Sequence, residues 1–179
     1  MRLSEPTRDA QSPEGRAAWD QIAGTRGSVR GPFVPLMHVP VLAAKVAEVG
    51  TYLRFQGLLP GADRELAICA SAREIESRYE WQAHAPLALK EGARSEALET
   101  VRTLGSLDSL TPRERTIVEV VRSLYRDHKL SDALFRSALA DLGREQLIEV
   151  VTIAGFYRLI GSVLNGFEVD LPGNAGPTF

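Results

Sequence analysis

Apolar residues along this chain recur at intervals of three and four, and no stretch alternates at period two for long enough to make a strand. Ser12 and Pro13 open a helix predicted to close at Gly24, with Trp19 and Ile22 on one face. The next fifteen residues, RGSVRGPFVPLMHVP, carry two glycines after the first arginine and three prolines and read as an irregular lead-in. Pro40 then starts a helix whose apolar spacing is set by Val41, Ala44 and Val49, and residues 57–61 break the chain. DRELAICASARE begins another helix. EWQAHAPLALKEG is the one after it, with Gly92 as its stop and Pro86 predicting a kink or a late start. Thr111 and Glu114 form a capping box around Pro112, ahead of Ile117, Val120, Val121 and Leu124. SDALFRSALADLG and a long apolar helix from about Glu145 complete an all-α pattern.

The last of these, QLIEVVTIAGFYRLIGSVLNGF, is apolar nearly all round, but Glu149 and Arg158 interrupt it and leave no run of 18 uncharged residues. A helix of that kind is expected at the centre of a fold or between subunits, so 150–164 predicts a subunit contact or a central core. With 179 residues, 44% hydrophobic and 25% charged, the chain is long enough for one domain, 1–179, with extended tails at 1–11 and 171–179. A net charge of -2 and the lack of a Lys/Arg cluster leave no attraction for nucleic acid or an anionic membrane. The polar N-terminus has no apolar signal core, and Cys69 is the only cysteine, so a reducing, cytoplasmic location is expected, without disulfides.

A shift of 51 positions places Leu59 on Leu110, Arg64 on Arg115, Leu66 on Ile117, Ala67 on Val118 and Gly92 on Gly143. One helical hairpin is thus written twice. In the same register Glu65 falls on Thr116, Glu80 on Ser131 and His84 on Phe135, so the copies share scaffold positions and differ at the polar ones.

Those polar residues carry the candidate chemistry. Glu80 and His84 are four apart and share a helix face, and Ser77 joins them if the helix reaches that far. A carboxylate beside an imidazole stabilises the protonated ring, which is the pairing that acid/base chemistry near neutral pH uses. The bland alternative is a surface Glu–His pair worth a few tenths of a kcal/mol. Trp81 reads as a core anchor, Cys69 as a small core residue, His38 as loop packing and His128 as a helix C-terminal cation. Glu65, Glu80 and His84 would make a three-ligand metal site, but no second histidine lies nearby, and no metal or cofactor is expected.

The stretch LPGADRELAICASAREIESRYEWQAHAPLALKEG, with RGPFVPLMHVPVLA ahead of it, resembles the carboxymuconolactone decarboxylase and AhpD-like family. The resemblance implies an AhpD-like all-helical fold of repeated hairpins, assembled as a homotrimer or homohexamer with sites near subunit interfaces. In the family's peroxidase branch a Cys-x-x-Cys pair precedes a histidine and follows a relay glutamate. The histidine matches His84 and the glutamate matches Glu65, while Ser77 and Glu80 stand at the two cysteine positions. A hydroxyl and a carboxylate cannot cycle between dithiol and disulfide. The resemblance therefore implies a cofactor-independent lyase or isomerase of the decarboxylase kind, acting on a small carboxylated lactone or oxo acid. His84 would donate the proton, Glu80 orient it and Glu65 relay protons, with Tyr79, Arg64 and Ser77 holding the substrate. The alternatives are a non-catalytic oligomeric binding module and a peroxidase-related protein without the thiol pair.

Overall fold

Pro13 starts α1 (Pro13–Arg26) behind Ser12, whose side chain caps the amide of Gly15. The helix runs past Gly24 and stops at Gly27, which takes the left-handed conformation at φ 78. Gly24 can adopt helical angles like any residue, and no contact forces the turn there. The computed structural model describes residues 1–171, 173, 178 and 179, and these contain eight α-helices, one 3₁₀ turn and no strand. The lead-in after α1 is not wholly irregular, because Phe33–Leu36 forms a short helix, α2, with all four side chains buried.

α3 (Pro40–Phe55) lies where the apolar spacing predicts, but the face differs. Val41 and Val49 are exposed, and Ala43, Val46, Ala47, Gly50 and Leu53 are buried. The small residues allow the close approach of α1 and α2, which pack on this helix. Together with Ser162–Asp170, residues Met1–Gly57 form one compact unit, in which Arg8 pairs with Asp20 and the Met1 amine with Asp170.

The second unit, Leu58–Gly161 with Leu171–Phe179, is built around α4 (Gly61–Glu74), whose residues 65–72 are all buried. Against it pack α5 (Arg78–Lys90), α6 (Ser95–Arg102) and α7 (Pro112–Arg126). α5 starts directly after Ser77 and carries Pro86 in its interior, so a late start is not what the proline causes. Its ring removes one amide from the ladder in the second half of the helix, beyond the buried Glu80, Trp81 and His84. α6 has no counterpart in the periodic reading. α7 has the capping box at Thr111 and Glu114.

The final helix, α8 (Asp132–Gly166), joins what the sequence suggests as two helices, with one non-helical residue, Gly143, at φ 75 and ψ 170. Its partner in the repeat, Gly92, is also left-handed, at φ 94. By length and composition alone α8 is apolar enough to cross a bilayer, yet half of that window is buried in the fold. Its two interrupting charges have partners. Glu149 accepts the amides of Leu58 and Leu59 at 2.9 Å, and Arg158 lies 4.4 Å over the Tyr125 ring.

Candidate functional site

Glu65 sits in the first turns of α4 and His84 in the middle of α5, the two helices that pack most extensively on each other. Helical spacing turns Glu80 to the same face of α5 as His84. The result is one buried cluster: Glu65 is 2% exposed, Glu80 4% and His84 5%. His84 Nδ1 lies 2.7 Å from Glu65 Oε2, and His84 Nε2 lies 3.2 Å from Glu80 Oε2. On its other side Glu65 accepts from Arg64 Nε at 3.2 Å.

A ring between two carboxylates is held as the cation. Burial works against its charge, but the hydrogen bonds and charges of Glu65 and Glu80 outweigh burial and raise its pKa to about 9. Burial also acts on the Glu65 carboxyl, pushing it up; the His84 and Arg64 contacts overcome that and bring it below its usual value. With both nitrogens protonated, Nδ1–H donates to Glu65 in a short bond. Nε2–H is held more loosely, between Glu80 and the Tyr157 hydroxyl at 3.4 Å.

Tyr157, on α8, is the site residue that sequence reasoning missed. It is 2% exposed, and its ring meets the His84 ring edge-on with centroids 5.3 Å apart. Its place in an apolar run, far from the polar motif, gave no sign of this; a hydroxyl in a buried helix that must find a partner was the one available signal.

The remaining candidates divide. Ser77 is fully buried at the N-cap of α5. Arg64 is committed to carboxylates of the chain itself, Glu65 and, at 4.0 Å, Glu91. Tyr79 is half-exposed, and the helix turns it about 100° away from Glu80 and off the His84 face. Trp81 is buried, with the Phe179 ring edge-on against it. Cys69 is buried one turn after Glu65, and burial together with Glu65 and Glu80 pushes its thiol well up, so it stays protonated. His38 is exposed and contacts the Ser4 carbonyl at 3.0 Å. His128, with φ 62, is exposed beyond the end of α7. Among the described residues no three His, Cys, Asp or Glu side chains are grouped so as to hold a metal ion.

The repeat accounts for the asymmetry of the two hairpins. Gly61 and Pro112, 51 positions apart, begin α4 and α7. At the Glu65 position Thr116 is buried and donates to Asp141 Oδ2 at 2.6 Å. At the Glu80 and His84 positions Ser131 and Phe135 are exposed. The buried polar cluster therefore exists in the first hairpin alone.

Comparison with known proteins gives the same placement. Residues 40–123 match the Carboxymuconolactone decarboxylase family model. No curated protein matches the chain. An uncharacterized peroxidase-related protein from Ralstonia eutropha JMP134, described as an alkylhydroperoxidase AhpD core, superposes with a TM-score of 0.79 at 18% identity, covering 96% of this chain and 92% of its own. A peroxidase-related protein from Silicibacter sp. TM1040 gives 0.73 at 13% identity, over 99% and 94% of the two chains. A putative antioxidant defence protein AhpD from Agrobacterium tumefaciens gives 0.68 at 14%, over 80% and 99%. The fold is AhpD-like, and residues 40–123, which carry Glu65, Glu80 and His84, match the carboxymuconolactone decarboxylase family model.

Proposed function

We propose that this protein is a cofactor-independent, cytoplasmic lyase or isomerase of the carboxymuconolactone decarboxylase kind, using His84 as a general acid on a small carboxylated lactone or oxo acid. The observation that supports this most is the buried imidazole between two carboxylates, which stays protonated at neutral pH. Loss of carbon dioxide leaves an enolate or dienolate, and the protein must stabilise that charge and return one proton. Glu65, anchored by Arg64, fixes the ring through Nδ1, so the orienting role belongs to Glu65 more than to Glu80. The proton on the looser Nε2 side, between Glu80 and Tyr157, is the one available for transfer. Glu80 accepts the hydrogen bond from Nε2–H until that proton passes to the substrate carbon, and a proton from solvent then restores the ring.

The structural neighbours described as peroxidase-related suggest peroxide reduction as another activity. Against it stands the single cysteine, which is buried, without a second thiol, and held protonated. The burial of the whole cluster favours a second reading, a non-catalytic module in which Glu65, His84 and Glu80 only join α4 to α5.

Turnover of 4-carboxymuconolactone by the wild type and His84→Ala separates these readings. The acid is needed once the carbanion begins to form, so the variant should lose about 10²-fold in kcat with a smaller change in KM. Equal rates in the two proteins would sink the mechanism. No turnover by the wild type, with a large drop in Tm for the variant, would favour the structural module.

A further inference from the structure

Ser77 is 0% exposed, and its hydroxyl has no hydrogen-bond partner among the described residues. A buried hydroxyl left unpaired costs about 1–3 kcal/mol, so the position needs an explanation. Serine at an N-cap ordinarily spends its oxygen on an amide of the first turn. Here the side chain makes no such bond, and the backbone carbonyl of Ser77 alone takes the Trp81 amide, at 3.1 Å. The hydroxyl is therefore committed neither to the helix nor to the core.

Its location is that of the site. Ser77 precedes Glu80 by three residues and His84 by seven, which sets all three on one face of α5. α8 covers that face. Tyr157 touches His84 Nε2, and one turn further on, Gly161 is packed so closely that a Cβ there would stand 3.3 Å from Ser77 Cβ. The seam that holds the transferable proton thus also holds the unpaired hydroxyl.

The charges in this seam select what the hydroxyl receives. Glu65 is matched by Arg64 and His84, and Glu80 by His84. A ligand carboxylate brought in beside Glu80 would be a third buried anion with no cation left for it. A neutral donor suits an uncharged acceptor, and its bond strengthens as that acceptor gains charge in a reaction. We propose that the ligand of this site sets an uncharged carbonyl oxygen, that of a lactone or ketone, on the Ser77 hydroxyl, with any carboxylate it carries turned away from Glu80. This rests on the acid/base reading of the same cluster and adds the class of group that the site selects.

Two unreactive compounds that differ only in the carbonyl provide the test: 5-oxotetrahydrofuran-3-carboxylate, a saturated carboxylated lactone, and tetrahydrofuran-3-carboxylate. Calorimetric titration of the full chain should give about tenfold tighter binding of the lactone, as expected for one hydrogen bond made in a buried site. Ser77→Ala should bring the two affinities to within about twofold, while its Tm stays equal to or above that of the wild type, because an unpaired buried hydroxyl has been removed. Equal affinities in the wild type, a preference that survives Ser77→Ala, or no binding of either compound would overturn the proposal. So would a fall of several degrees in the Tm of Ser77→Ala, which would show a structural partner for the hydroxyl. Ser77→Cys, which keeps a weak donor, should retain an intermediate preference. The titration needs no turnover, so a protein inactive on 4-carboxymuconolactone that keeps the tenfold preference loses the reaction and retains this contact.

Discussion

Two residues of the cluster make opposite demands on pH, and together they define its window. The folded pKa of His84 is raised to about 9, so the stability it contributes is complete below its unfolded value near 6.5 and is lost as pH rises through about 9. Glu65 is lowered, so its contribution is present above about 4.5 and is lost as pH falls through its folded value. Thermal melts across pH 4 to 10 should show greatest stability between about 4.5 and 6.5, and His84→Gln should remove the decline on the alkaline side. The maximal rate should hold to about pH 9 and fall above it, following loss of the acid form. Cys69→Ser should leave turnover intact and cost about 1–2 kcal/mol, since it places a hydroxyl in a fully buried thiol position. Loss of activity in that variant would mean that the thiol takes part. Glu80 and His84 were legible as a pair because both lie on one helix at a spacing of four. That Glu65 belongs with them was implied by the family resemblance, since residue spacing carries no information between helices, and its contact with the other ring nitrogen is seen only in the structure.

At the scale of the helices, α8 passes close to the turn between α4 and α5. A Cβ on Gly161 would stand 2.6 Å from Ile75 Cγ2, so Gly161→Ala must displace that side chain or the helix. It should lower stability by about 1–3 kcal/mol in a denaturant titration and weaken the Tyr157 contact with His84. An unchanged midpoint would show that the seam yields freely. Element boundaries were readable where local chemistry sets them, as at the Thr111 capping box and at Gly92. They were misjudged where it does not: Gly24 looks like a stop but is exposed in the last turn of the helix, and Gly27 ends it. Pro86 looks like a breaker, but packing on α4 holds the helix around it. On α3 the spacing of Val41, Ala44 and Val49 marked the helix, while Ala43, Val46, Ala47, Gly50 and Leu53 form its inner face, because the packing of α1 and α2 decides which face is inside.

For the molecule as a whole, α8 poses the remaining question. Val150, Ile153, Ala154, Tyr157 and Ile160 form its inward stripe, while Ile148, Val151 and Leu159 form a second, exposed one at the same helical spacing. Ile148 is 58% exposed and Leu159 44%, more than an isolated helix face of this kind tolerates well. We expect the outer stripe to be covered by another copy of the chain. Light scattering should give a mass above that of one chain, and Ile148→Glu with Leu159→Glu should reduce it to a monomer without loss of helical circular dichroism. A wild-type monomer at micromolar concentration would refute this.

By itself the sequence determined the helical class, the repeated hairpin and the pairing of Glu80 with His84, because hydrophobic period, capping chemistry and i,i+4 spacing act within a single segment. Only the tertiary structure decided which face of α3 is inside, that Glu149 and Arg158 have partners, and that Tyr157 of α8 reaches His84. It also buried the polar positions of the first hairpin while exposing Ser131 and Phe135 in the second. Each of these depends on which helix lies over which. That is fixed by the packing of side chains distant in the chain, and no local pattern encodes it.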